Sequence, residues 1–147
     1  MTPCTVREIC AAVNGVLLQG SDAAVTQVST DSRSVPAGAL FVPLVGERFD
    51  GHAYIGKALE SGAAGCLTAQ ALETLLPGKF YIQVEDTRLA LKALASWYRG
   101  KFDLPVVQVT GSAGKTTTKE MIACVLGRRF CTLKTQANFN NDIGTPL

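Results

Sequence analysis

A chain of 147 residues that is 47% hydrophobic and 18% charged can bury one ordinary domain or two small ones and is not expected to be disordered. Its formal net charge of +2 is too small, and its lysines and arginines too scattered, to point to nucleic acid. No apolar run reaches the length of a membrane span, and the first residues lack a basic region followed by an apolar one, so neither a membrane segment nor a signal peptide is expected. The five cysteines (Cys4, Cys10, Cys66, Cys124 and Cys131) are odd in number and never spaced Cys-x-x-Cys. Reduced thiols are expected, without a metal site.

In chain order, Thr5-Val6-Arg7-Glu8 is a capping box that starts a helix running through Val13, stopped by Asn14-Gly15. Val16–Leu18 and Val25–Val28 read as strands around a Gly20-Ser21-Asp22 turn, followed by the polar loop Ser29–Ser34. Leu40–Val45 reads as a buried strand, with Pro43 hinting at an edge or a bulge, and Gly46–His52 as a second polar loop. A helix is expected from about residue 53 to 61, ended by Gly62, then strands at Cys66–Thr68 and Tyr81–Val84. Asp86-Thr87 caps a helix to Arg99, in which Leu89, Ala93, Leu94 and Trp97 keep helical spacing. Gly100 ends it, and a domain boundary is expected near Val84, with this helix in the second unit.

The stretch that organises the chain comes next. The β-branched run Val106–Thr110 meets the turn Gly111-Ser112-Ala113-Gly114, and Lys115-Thr116-Thr117 opens a helix that runs on to Leu126. Strand, glycine turn and helix start form the geometry that holds a phosphate: turn N–H groups converge, and the helix N-terminus adds free donors and a favourable dipole. Gly111 to Gly114 would cradle the phosphates, Lys115 would reach the outer ones, and the Thr116 hydroxyl would ligate Mg²⁺. Thr117 is the weaker assignment, since it could simply satisfy the helix N-terminus. The longer phosphate-loop pattern needs glycine at position 109, where Val109 stands, so the loop is a shortened form. A strand at Cys131–Lys134 and a loop from Gln136 to Pro146 complete the reading. One strand–helix–strand unit cannot cover both faces of a parallel sheet, so the second unit is expected to be truncated. The apolar faces of Val107, Val109, Ile122 and Leu126 are expected to be poorly covered.

Thr110–Thr117 resembles the shortened phosphate loop of the Mur ligases and folylpolyglutamate synthases. Asp31-Ser32-Arg33, Pro36–Val42 and Gly46–His52 resemble the N-terminal domain of the amino-acid-adding Mur ligases, and Glu85–Leu91 the segment entering their central domain. Asn138–Gly144 is similar to the loop of the last ligase of the series, whereas the preceding one usually carries an Asn-Thr-Thr-Pro version. The resemblance implies an α/β protein: a small N-terminal α/β domain over residues 1–84 that binds a UDP-linked substrate, then, over 85–147, the start of a parallel-sheet phosphate-loop ATPase domain. It implies a monomeric cytoplasmic enzyme of peptidoglycan precursor synthesis that uses ATP and Mg²⁺. Its substrates would be UDP-N-acetylmuramoyl-tripeptide and D-alanyl-D-alanine, joined through an acyl phosphate. The alternatives are the preceding ligase, which adds the third residue, and, for these residues alone, a non-catalytic nucleotide-binding module.

The resemblance assigns Lys115 to catalysis and Asp31, Ser32, Arg33, Glu47, Arg48, Phe49, Asn138, Asn140 and Asn141 to the substrate. On residue chemistry alone, Asp31-Ser32-Arg33 also reads as an Asx-type turn with a solvated arginine. Glu47–Phe49 also reads as a plain polar loop with one buried ring, and the three asparagines as an amide-rich turn. His52, the single histidine, reads as a helix-start or packing residue and is assigned no chemistry.

Overall fold

The structure is a computed structural model and describes residues 2–20, 23–47 and 49–135. Its elements are β1 (Cys4–Thr5), α1 (Val6–Ala12), β2 (Val16–Gln19), β3 (Ala24–Val25), β4 (Val28–Ser29), β5 (Leu40–Phe41), β6 (Val45–Gly46), β7 (Phe49–Asp50), a 3-10 helix (Gly51–Tyr54), α2 (Ile55–Glu60), β8 (Gly65–Thr68), β9 (Phe80–Gln83), α3 (Thr87–Gly100) and α4 (Lys115–Leu126). The central sheet has the order β2-β9-β8-β5-β4. Strands β4, β5, β8 and β9 run parallel, and β2 lies antiparallel along β9 at one edge.

Side-chain alternation along the strands makes this a three-layer arrangement. Leu40, Val42, Leu67, Phe80 and Ile82 face one side, where they pack with Val6 and Ile9 of α1 and Ala90, Leu91 and Leu94 of α3. Phe41, Cys66 and Tyr81 face the other, against Ile55, Ala58 and Leu59 of α2. Both faces of the parallel strands are thus covered, which is what near-continuous apolar strands require. Burial also pushes the Cys66 thiol up to about 12, so it stays a neutral packing group.

The capping box forms as expected. The Thr5 side chain accepts the Glu8 N–H at 3.2 Å, and Glu8 accepts the Thr5 N–H at 2.8 Å. Glu8 also accepts a hydrogen bond from Lys101 at the end of α3, 2.7 Å away. That lysine contact, followed by the bonds from Thr5, holds the Glu8 carboxyl at about 2 instead of 4.5. A carboxyl depressed in the folded state stabilises it fully above the unfolded value and loses that contribution as pH falls through the folded one. The tie between α1 and α3 is therefore expected to be intact above pH 4.5 and to loosen toward about 2. Titration of the Glu8 carboxyl carbon by NMR checks this. Lys101→Ala should raise the midpoint, and an unmoved midpoint would remove the ion pair as its cause.

Several expectations are corrected. Val25–Val28 is not one strand: β3 pairs with β1, while β4 joins the main sheet, so the chain changes partners between them. Leu40–Val45 is not one strand: it joins the main sheet at Leu40–Phe41, passes through Pro43, which has no N–H to give, and Val45 already belongs to β6. The loop Gly46–His52 contains structure: β6 and β7 form a short hairpin with Val45 opposite Asp50 and Gly46 opposite Phe49. The helix after it is a 3-10 turn that runs into α2.

Helix α3, expected in the second unit, supplies core residues to the first. Its buried stripe is Ala90, Leu91 and Leu94; Leu89 is 63% exposed, and Trp97 packs at the rim beneath the Lys101 ammonium, 4.0 Å from the ring centroid. Val106–Thr110 and Cys131–Lys134 carry no strand ladder, since no described strand lies beside them to accept their hydrogen bonds. Between residues 101 and 135 no residue is buried. Val107 is exposed, and Val109, Ile122 and Leu126 are only half covered. The Gly20-Ser21-Asp22 turn falls partly, and the Asn138–Gly144 loop wholly, outside the described residues.

Candidate functional site

In an open parallel sheet the carboxyl ends of the strands share one edge, and ligands gather there. The chain places its polar segments on that edge. Asp31–Arg33 follows β4, the β6–β7 hairpin follows β5, Ala69 and Gln70 follow β8, and Glu85–Arg88 follows β9.

After β4, the Arg33 N–H donates to Asp31 Oδ1 at 2.9 Å, which is the Asx turn of the sequence reading. The guanidinium closes on the same carboxylate, Nε to Oδ1 at 2.9 Å and Nη2 to Oδ2 at 2.8 Å. The guanidinium hydrogen bonds, then the backbone one, hold the Asp31 carboxyl at about 2. Arg33 remains 82% exposed, so its outer N–H groups face solvent while its position is fixed. Ser32 is half-buried in the turn.

A cleft of about 410 Å³ lies between the hairpin and the start of α3, lined by Val45, Gly46, Glu47, His52, Ala69 and Glu85–Arg88. Of the sequence-predicted substrate residues, Glu47 lines it. Phe49 sits on β7 and is 53% exposed, so the ring that read as buried is open to solvent. Arg48, Asn138, Asn140 and Asn141 lie outside the described residues. The Asp86 side chain accepts from the N–H groups of Arg88 and Leu89 at 2.7 and 2.9 Å, which fixes the start of α3 beside the cleft. Arg88 reaches back across it to the Val45 carbonyl at 3.3 Å.

His52 closes the cleft floor. Its side chain is 4% exposed, Nδ1 lies 2.7 Å from Asp50 Oδ1, and Nε2 accepts the Ala69 N–H at 3.1 Å. Asp50 also accepts the His52 N–H at 2.9 Å and Gln70 Nε2 at 2.7 Å. These contacts, the His52 backbone N–H foremost, lower the Asp50 carboxyl below its ordinary value. The sequence reading placed His52 at a helix start or in packing, and the structure has both; it missed the clasp to Ala69 and Gln70. The only sequence hint was Asp50 two residues before His52, the spacing of an N-cap over a short helix.

The second constellation is the glycine turn Gly111–Gly114 with the helix start behind it. Gly111 and Gly114 have φ of 151° and 74°, backbone that a side chain would strain. Gly114 is the left-handed N-cap of α4, which has no side-chain cap and no acidic residue in its first turn. The Lys115 ammonium folds back over the loop to the Gly111 carbonyl at 2.5 Å. Thr116 and Thr117 are exposed at the helix start, beside Ser112 and Ala113. Uncapped N–H donors, a dipole end and a lysine resting on a neutral carbonyl fit a nucleotide triphosphate, and the Thr116 hydroxyl suits a hard cation. None of residues 111–117 lines the cleft. No group of three His, Cys, Asp or Glu among the described residues is placed to hold a metal ion alone. No described helix is long and apolar enough to cross a membrane.

A mixed, mostly parallel sheet with helices packed on both faces is an α/β fold. The chain belongs to the Mur ligase family: residues 24–99 match the family's catalytic domain and residues 109–147 its middle domain. It is 43% identical over its whole length to the UDP-N-acetylmuramoyl-tripeptide--D-alanyl-D-alanine ligase of Escherichia coli (strain K12), of which it covers 32%. Among solved structures it resembles the UDP-N-acetylmuramoylalanyl-D-glutamyl-2,6-diaminopimelate--D-alanyl-D-alanyl ligase of Acinetobacter baumannii, with TM-score 0.91 and 35% identity over 99% of this chain and 33% of that one. It also resembles the MurF ligase of Thermotoga maritima in complex with ADP, with TM-score 0.74 and 35% identity over 83% of this chain and 28% of that one. The chain spans about a third of the length of these relatives.

Proposed function

We propose that these residues form the front part of an ATP-dependent ligase that joins D-alanyl-D-alanine to UDP-N-acetylmuramoyl-tripeptide in the cytoplasm, working as a monomer. The observation that carries the reading is the uncapped start of α4 behind the left-handed Gly114, with Lys115 folded across the loop. The ADP complex of the Thermotoga relative supports it. The loop would hold ATP through the amides of Gly111–Gly114, with Lys115 against the outer phosphates and Thr117 at the helix start. Mg²⁺ held by Thr116 would supply charge neutralisation when bound. The substrate carboxylate takes the γ-phosphoryl group and ADP leaves. The dipeptide amine then forms the C–N bond at the acyl carbon, losing a proton as phosphate departs. Little covalent help is needed from the protein; charge and reacting groups must be held in place.

The carboxyl edge of the first sheet would take the uridine end of the substrate, with Asp31, Ser32 and Arg33 on one side and Glu47, Arg48 and Phe49 on the other. Asn138, Asn140 and Asn141 would meet the phosphates or peptide carbonyls. Amide NMR of the ¹⁵N-labelled chain tests both halves. A UDP-sugar should move residues 31–33 and 47–49, and ATP with Mg²⁺ should move residues 111–118. Shifts confined to other surfaces at saturating ligand would sink the corresponding assignment.

A further inference from the structure

We infer that His52 is a positioning residue for the uridine end of the substrate: it clasps the β6–β7 hairpin to the end of β8 and so sets where Glu47 and Phe49 stand. The inference rests on the proposed uridine role of that hairpin. Thr68 is the last residue of β8 to pair with β9. The Ala69 N–H beyond it is met by His52 Nε2. With the ladder ended at Thr68, that N–H takes its acceptor from the His52 ring, which an apolar side chain of the same size could not provide. With Nε2 accepting from Ala69, Nδ1 is the ring nitrogen that can donate to Asp50 Oδ1. Gln70 donates to the other oxygen of Asp50. The hairpin's return strand, its 3-10 turn and the end of β8 are therefore joined by two bridges, 17 and 20 residues apart in sequence. On the other strand of the hairpin, Arg88 of α3 holds the Val45 carbonyl.

The charged groups around the clasp are Asp50 on β7, Glu47 beside the hairpin, and Glu85, Asp86 and Arg88 along the cleft.

The test measures affinity of the whole chain for a UDP-sugar. His52→Leu should weaken binding about tenfold, the scale of one buried hydrogen bond lost. His52→Gln, which can present an acceptor where Nε2 stood, should stay within about twofold. Leu and unsubstituted chains that bind alike would overturn the inference and leave the uridine reading standing. Should His52→Leu not fold, Gln70→Ala on the exposed arm of the clasp decides, and an unchanged affinity overturns it. No binding by the unsubstituted chain is a different result, and it removes the uridine reading together with the inference.

Discussion

Lys115→Ala is expected to lower ATP-dependent ligation by the full-length ligase by about a thousandfold in turnover, the scale seen when one preorganised donor to developing charge is removed. Affinity for the UDP-linked substrate should be unchanged, because residues 111–117 stand apart from the cleft beside the hairpin. The reason for so large an effect lies in the present position of the ammonium. It rests on the neutral Gly111 carbonyl, half-covered, above the free N–H groups of α4. A phosphate oxygen is a far better partner, since it sets a full opposite charge against the ammonium where the carbonyl offers only a dipole. The lysine is therefore expected to leave Gly111 when ATP arrives and to follow the charge as it moves outward during transfer. Arginine should not rescue, because a planar fork does not replace a compact ammonium in a closed loop. Turnover and substrate KM measured separately decide it. A variant with near-normal turnover would take Lys115 out of the chemistry, and one with raised KM for the UDP-linked substrate would show that the two sites are not independent.

What was legible in the sequence was whatever a local rule controls. Thr5 and Glu8 form their box because both partners lie within one turn. Asp86 caps α3 because its carboxylate needs only the next few N–H groups. The glycine turn and the start of α4 at Lys115 were legible because the residues that make them are adjacent in the chain. Where partners come from far away, the pattern misled. The run Val25–Val28 looks continuous, yet its two ends belong to different sheets. Val106–Thr110 has every strand-forming residue, but a strand exists only beside another strand. Gly46–His52 looks like an irregular polar loop because a two-residue ladder leaves no periodicity to read. The Ala69–His52 hydrogen bond joins residues from either side of α2, and no spacing rule announces it.

Leu91→Ala is expected to destabilise the N-terminal unit by about 3 kcal/mol, the middle of the range for emptying a well-packed leucine site. The prediction turns on where α3 belongs. Read from its sequence, the helix opens the second unit. In the structure its buried stripe of Ala90, Leu91 and Leu94 shares one core with Val6, Ile9, Leu40, Leu67 and Ile82. Leu91 is 2% exposed and Leu94 is 3%, which leaves little room for neighbours to relax into the gap. The end of α3 is tied to the amino terminus by polar contacts as well: the Thr2 N–H donates to the Tyr98 hydroxyl at 2.7 Å, and Lys101 meets Glu8. Helix α3 is therefore part of what holds the central sheet, and a chain cut near Val84 should lose the apolar cover of one sheet face. The measurement is denaturant unfolding followed by the fluorescence of Trp97, which lies at the rim of this core and is the single tryptophan. Leu89→Ala is the matched control, since Leu89 lies on the same helix but is 63% exposed, and it should cost well under 1 kcal/mol. Equal effects of the two substitutions would mean that α3 does not pack on the first core. A large effect of Leu91→Ala alone would move the end of the first unit beyond Gly100, into the segment between the two family-domain matches at residues 24–99 and 109–147.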